Sequence, residues 1–252
     1  MKNKKTVLCL VAHPDDAELQ CAGTLALLAK KGWKIVIATM TPGQAGSSEM
    51  GAEEISAIRR TEAKNSVAIL GGTYACLECE DLFIAYDRST LLKVIALFRK
   101  EMPTIVIAPS PDDYIIDHEV TSRLAQTACM GANIPNVEIS GTNPISTIPY
   151  LFYCDPMQGK DIFGSKVIST ILINITSTIN VKEEMLCCHK SQREWLLKIS
   201  KVDEYLIMMK NFSQKKGKLI ECEFAEGFRQ HLGFSYPTDN ILKSELGELV
   251  YI

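Results

Sequence analysis

The stretch "CLVAHPDDAELQCAGTL", residues 9–25, sets an apolar run against a histidine, a proline and two adjacent aspartates, then resumes an apolar pattern. The run extends back to Thr6. A continuous run of this kind, Thr6–Ala12, reads as a strand buried on both faces, as a parallel sheet requires. After the polar turn, Leu19, Ala22, Leu25, Ala26, Leu28 and Ala29 recur at helical spacing. They predict a helix from about Asp16 to Lys31, with Gly32 as its stop. Strand, polar turn and helix follow one another with no spare residues.

The same alternation continues outward. "WKIVIATM" (33–40) reads as a second buried strand, followed by the Gly/Ser-rich loop "TPGQAGSSEMGA" (41–52). A helix over "EEISAIRRTEAKNSVAIL" (53–70) ends at Gly71-Gly72, and a third strand lies near Tyr74–Cys79. Ser89 is a candidate cap for a helix over Thr90–Lys100, and "TIVIAP" (104–109) forms a strand after Pro103. Strands alternating with helices argue for an α/β protein with a mostly parallel, doubly wound sheet and helices on both faces. Beyond residue 130 the signals weaken. "NIPNVEISGTNPISTIP" (133–149) is turn-rich, "YLFYC" (150–154) and "KVISTILINIT" (166–176) read as strands, and helices are expected over Val181–His189 and Gln192–Lys210. With no repeat and no low-complexity linker, residues 1–252 read as a single domain.

Composition narrows the class. The chain has 252 residues, 46% hydrophobic and 23% charged, ordinary for a globular protein with a sizeable core. A net charge of -3 and a pI near 5.9 give no electrostatic reason to expect nucleic acid. Nine cysteines without paired spacing fit reduced thiols. Cys76 and Cys79 form a lone C-x-x-C with no second pair and no nearby histidine, so they are not read as a zinc or redox site. "MKNKK" before "TVLCLVA" superficially resembles a secretory signal, but its apolar run is short and ends in HPDD rather than a cleavage site. No later stretch approaches the ~20 apolar residues of a membrane span. A cytoplasmic protein is expected, with a homo-oligomer left open.

Ligands in open parallel sheets bind beyond the carboxyl ends of the strands. The opening stretch falls there, as does "SPDDYIIDHEV" (110–120), and each brings a histidine and several aspartates. His13 and Asp16 flank the rigid Pro14 at i, i+3, and His118 can complete three protein ligands. Catalytic zinc takes three such ligands, keeps one open position and brings a water's pKa to about 7. Asp15, beside a ligand, is placed to take that water's proton. A structural reading competes, because Asp15, Asp16 and Glu18 all suit the positive end of a helix. One cap would suffice, however, and two of the chain's four histidines fall in these two clusters. Spacing alone leaves both readings open.

"AHPDDAE" (12–18), the R-x-x-E of Arg59–Glu62, Asp117–His118 and the H-x-S-Q of His189–Gln192 together resemble the PIG-L/LmbE-like deacetylases. These are zinc-dependent enzymes that remove acetyl from N-acetylglucosamine conjugates. The resemblance implies a Rossmann-like fold and a small-molecule amino-sugar conjugate as partner. It also implies zinc on His13, Asp16 and His118, with Asp15 as base and Arg59 contacting substrate. No G-x-G-x-x-G follows the first strand, so no dinucleotide is indicated.

One departure stands out. Many members carry H-P-D-H where this chain reads Ile115-Ile116-Asp117-His118, and that first histidine is credited with stabilising the oxyanion. Isoleucine can neither donate a hydrogen bond nor transfer a proton. Tyr114, Arg59 and His189 are the candidate substitutes. Each has a plainer reading: Tyr114 packs a loop edge, His189 closes a helix, and Arg59 pairs with Glu62 or Glu53 on a solvated face. Two histidines and a carboxylate also suit Fe(II) oxygen chemistry. A member that lost turnover with its histidine would be a metal-containing ligand-binding protein.

Overall fold

A computed structural model describes residues 5–200 and 204–252. Every side chain of β1 (Thr6–Val11) is buried, and the strand is central in the sheet. It is followed by α1 (Asp16–Gln20), α2 (Ala22–Lys30), β2 (Lys34–Thr39), α3 (Ala52–Ala68), β3 (Thr73–Cys76), α4 (Arg88–Glu101), β4 (Ile105–Ala108), α5 (Ile116–Gly131) and β5 (Tyr150–Cys154). The chain then runs through β6 (Ile171–Asn174), α6 (Ile179–Cys187), α7 (Lys190–Ser200), α8 (Glu204–Gly217), β7 (Ala225–Gln230), α9 (Ile241–Leu246) and β8 (Val250–Tyr251). These strands make one sheet in the order β3-β2-β1-β4-β5-β7-β6-β8. β1 to β5 are parallel, with Cys9 level with Ile37 and Ile107, while β7 runs antiparallel to both β5 and β6.

The period of two along β1 sorts the core into two layers. Val7, Cys9 and Val11 pack with Leu25, Leu28, Val67, Met185, Leu186 and Met209 from α2, α3, α6 and α8. Leu8, Leu10 and Ala12 pack on the other face against Val94, Phe98, Leu124 and Ala128 of α4 and α5. The sheet is therefore doubly wound, as its sequence pattern predicts. From β1 the chain winds outward through β2 and β3, then crosses back to β4 on the other side of β1. That reversal opens a crevice between the carboxyl ends of β1 and β4.

Several boundaries differ from expectation for local reasons. The helix expected over Asp16–Lys31 is broken at Cys21 (φ -143°, ψ 7°) into α1 and α2. The break frees the first N–H groups of α2, and the buried Glu226 carboxylate accepts from Gly23 N at 2.9 Å and Thr24 N at 2.8 Å. A distant strand thus overrides a continuous helical pattern. Asp87, rather than Ser89, caps α4 by accepting from Thr90 N at 2.8 Å, and Ser89 donates to Asp87 instead. The strand expected over 166–176 shortens to Ile171–Asn174. The helix expected over Gln192–Lys210 falls on α7 and α8, and its residues 201–203 lie outside the described residues. α5, β7, α9 and β8 have no counterpart in the sequence reading.

Candidate active site

The polar turn after β1 is held in a conformation its residues resist. Asp15 sits at φ 101°, ψ -21°, a left-handed region that costs a non-glycine residue about 1–3 kcal/mol. Arg59 on α3 supports it: Nη2 donates to the Pro14 carbonyl at 2.6 Å and Nη1 to the Gly43 carbonyl at 3.2 Å. Gly43 (φ +74°) and Gly46 let the 41–52 loop wrap the guanidinium, which a Cβ at either position would strike. Arg59 is 4% exposed and 3.6 Å from Asp15 Oδ2. Through these contacts it braces the turn.

Two imidazoles converge on one carboxylate. His13 Nδ1 lies 3.4 Å and His118 Nε2 3.3 Å from the same atom, Asp16 Oδ2, which also accepts the His13 backbone N–H at 2.8 Å. The far nitrogens face other carboxylates. His13 Nε2 is 3.1 Å from Asp81 Oδ1 and 3.3 Å from Asp117 Oδ2; His118 Nδ1 is 3.2 Å from Asp113 Oδ1. Asp117 Oδ2 also accepts from Leu82 N, and Asp81 Oδ2 from Ala45 N. Burial opposes a charged His13, yet Asp117, Asp16 and Asp81 outweigh it and hold its pKa well above the ordinary value. Burial is likewise overcome at His118, where Asp16 and Asp113 push the pKa up to about 10. Burial raises the pKa of Asp16, but His118 and His13 outweigh it and bring it well below the carboxylate range.

This donor set fits a metal ion. The ligating atoms of His13, Asp16 and His118 lie within 4.8 Å of one another. His118 Nε2 is buried with no hydrogen-bond partner among the described residues. Each imidazole turns one nitrogen to the shared point and the other to a carboxylate, as metal-ligating histidines do. A second group, His13, Asp81 and Asp117, also meets the distance condition, but it uses the His13 nitrogen facing away from Asp16 and His118. Cys76 and Cys79 join neither group, and all nine cysteines are free thiols.

The Asp15 carboxylate, next to the ligand Asp16 in the chain, has partners of its own. Its Oδ2 accepts a 2.6 Å hydrogen bond from Tyr205 on α8. Burial raises the Asp15 pKa, opposed by Arg59. Beneath it, His189 Nε2 is 3.3 Å from Glu18 Oε1, which also accepts from Ser66 at 2.5 Å. His189 is fully buried and does not front the crevice. Glu62 accepts from Ser191 N and Oγ at 2.8 and 2.6 Å, and Gln192 donates to the Gly46 carbonyl, so the H-x-S-Q segment ties α7 to α3 and the glycine loop. Tyr114 is half exposed, its ring edge-on to His118 with centroids 5.4 Å apart. Ile115 caps α5, and its carbonyl accepts from His118 N.

Four participants carry no role in the sequence reading. Asp113 and Asp117 stand within the quoted second cluster, so the repeated aspartates were their signal. Asp81 and Tyr205 have none, because only folding brings them to the turn.

The His₂Asp cluster at the switch point of this doubly wound sheet defines the class: an α/β protein able to hold a divalent metal at its carboxyl edge. Residues 8–129 match the PIG-L family, described as GlcNAc-PI de-N-acetylase. Diacetylchitobiose deacetylase of Thermococcus kodakarensis is 31% identical over 238 residues, covering 89% of this chain and 82% of that protein. The chain belongs to the PIG-L family of de-N-acetylases, enzymes acting on amide C–N bonds. The N,N'-diacetylchitobiose deacetylase of Pyrococcus horikoshii, solved with its inhibitor MPG, superposes with a TM-score of 0.78 at 25% identity, covering 91% of this chain and 85% of that one. A 4-oxalmesaconate hydratase of Pseudomonas putida is 28% identical over 154 residues, 56% of this chain and 60% of the relative. Among the described residues no helix is long and apolar enough to cross a membrane.

Proposed function

We propose that the protein removes acetyl from an N-acetylglucosamine-type conjugate in the cytoplasm, with one zinc ion held by His13, Asp16 and His118. The observation that carries this reading is the convergence of those three donors on one point, next in sequence to the largely buried carboxylate of Asp15. When bound, zinc supplies a Lewis acid that brings a water's pKa close to 7. Asp15 accepts the proton of the attacking water and later passes it to the departing amine. Tyr205 and Arg59 fix its carboxylate, while Asp113, Asp117 and Asp81 hold the two imidazoles in the tautomers that leave His13 Nδ1 and His118 Nε2 unprotonated. Tyr114 donates to the oxyanion in place of the missing histidine. Of the three candidates it alone stands exposed beside His118, since Arg59 and His189 are buried behind the turn. His189 positions Glu18 and the floor beneath Asp15.

The test is acetate release from a panel of N-acetylglucosaminyl conjugates by protein of measured metal content. Turnover that follows zinc occupancy is expected; a zinc-loaded, folded protein inert on the whole panel contradicts the reading. A second reading is favoured by the hydratase relative together with Ile115: water addition to a conjugated unsaturated acid. Loss of ultraviolet absorbance from such acids, with no acetate released from any amide, would select it.

A further inference from the structure

Three cavities of about 360–380 Å³ meet at Gln158, beside the metal-ligand cluster. The first is walled by Tyr114, Met157 and Met208, so it begins at the tyrosine that packs edge-on to His118. From there the space continues along α8. Met208, Phe212 and Lys215 of α8, with Leu219 in the 3-10 turn just past its end, form one stripe lining it, at spacings of four, three and four residues. The adjacent stripe of α8, with Tyr205, Met209, Ser213 and Lys216, is buried, and Tyr205 bonds Asp15. One helix therefore fixes the candidate base with one face and walls the groove with the next. The facing wall is the segment around 157–169, with Val167 and Ile168 near the far end.

Charge is distributed unevenly along this groove. Tyr114, Met157 and Met208 give its near part apolar walls, with Lys160 and Asp161 at their margin; Lys160, Lys166 and Lys215 line its far part, and the ammonium groups of these lysines have no ion-pair or hydrogen-bond partner among the described residues. Lys216 is already neutralised by Asp155 and donates to Ser169. The one further carboxylate, Asp161, accepts from Phe163 N and Ser165 N within its own turn. A neutral sugar alone would leave the apolar stripe and the three cations unmatched.

We propose that the groove holds the aglycone of the substrate, an elongated apolar chain or ring system ending in an anionic group, carboxylate or phosphate. Resting on the deacetylase reading, this places the acetamide at the His/Asp cluster, the apolar body against Tyr114, Met208 and Phe212, and the anion among Lys160, Lys166 and Lys215. Shape and apolar contact along the stripe supply affinity, and the lysines select the terminus.

The experiment compares the methyl, octyl, ω-carboxyoctyl and ω-phosphooctyl glycosides of N-acetylglucosamine. Relative to methyl, the octyl chain should lower KM by about tenfold or more through buried methylenes. An anionic terminus should add roughly threefold to fivefold, the range of solvent-facing charge pairs. In Lys160→Ala/Lys215→Ala the kcat/KM ratio of anionic to plain octyl glycoside should fall to about one, whereas Phe212→Ala should reduce the octyl-to-methyl ratio. The carboxylate and phosphate arms identify which anion is preferred. Equal KM for methyl and octyl glycosides, or an anion preference untouched by the lysine variant, overturns the proposal. Should none of the glycosides be deacetylated, calorimetric binding of the same four compounds to wild type and the lysine variant decides it separately. Tighter binding of the anionic compounds, lost in the variant, upholds the groove even where the deacetylase reading fails; equal binding of all four rejects it.

Discussion

Asp15 carries three demands at once: a left-handed backbone, burial, and a hydrogen bond from Tyr205. Helix capping explains none of them, because its side chain caps no N–H of α1. Asp15→Asn should keep metal content nearly intact while removing most acetate release, since an amide cannot take a proton near neutral pH. Asp16→Asn should instead reduce the metal content itself. Full turnover in Asp15→Asn would reject its role as base. The oxyanion assignment is tested by Tyr114→Phe, expected to lower kcat by about 10²-fold with little change in KM. Ile115→His should then restore much of the loss in the Tyr114→Phe background, and it should do little in the wild type. If Tyr114→Phe is silent and Ile115→His raises wild-type turnover, no residue has taken over the missing histidine's work.

The break between α1 and α2 depends on an ion pair from elsewhere in the fold. Glu226 on β7 accepts from Gly23 N, Thr24 N and Thr24 Oγ1, and is bound by Lys182 of α6 at 2.6 Å with both side chains buried. Glu226→Ala leaves an ammonium buried without its partner and should cost about 3–5 kcal/mol in urea unfolding. Lys182→Met/Glu226→Met should recover a substantial part, because two well-packed apolar side chains carry no desolvation penalty. Equal destabilisation in both variants would show the carboxylate's bonds to α2, rather than the charge pair, to be the larger effect. His231, just past β7, sets a pH response. Burial holds its pKa below the ordinary 6.5, and its ring packs 4.1 Å from that of Tyr236. The unfolded chain then binds a proton that the folded one resists, so stability is fully present above about 6.5 and is lost as pH falls through the folded pKa. Thermal unfolding of His231→Asn should accordingly be less sensitive to acidification than that of wild type; parallel curves would contradict this.

At the scale of the whole molecule, the candidate metal-ligand cluster joins two halves of the sheet, with His13 and Asp16 after β1 and His118 on α5 after β4. A divalent ion at a free concentration of about 100 times its Kd stabilises the native state by about 2.7 kcal/mol. For a domain of this size that corresponds to roughly 5–10 °C in Tm. Chelation should reverse the shift. Asp113→Asn, which removes the carboxylate facing His118 Nδ1, should weaken metal affinity by about 10–100-fold. A Tm indifferent to zinc and chelator would reject the site, and a shift produced by Fe(II) alone would reassign the metal.

The central strands, the parallel winding and the polar turn at His13–Asp16 were legible because each rests on local pattern. A strand buried on both faces needs an unbroken apolar run, and a strand-to-helix turn needs polar residues at its exit. Asp81, Tyr205 and Glu226 left no such trace, since the first two act on the His13–Asp16 turn and the third on the start of α2, each from far along the chain. The same holds for Arg59, whose motif spacing is visible but whose position behind Pro14 follows from how α3 packs. Sequence alone determined which residue types stand at the ends of β1 and β4. Only the tertiary structure decided which nitrogen of each histidine faces the shared point, because that depends on carboxylates delivered by other loops to the far side of each ring.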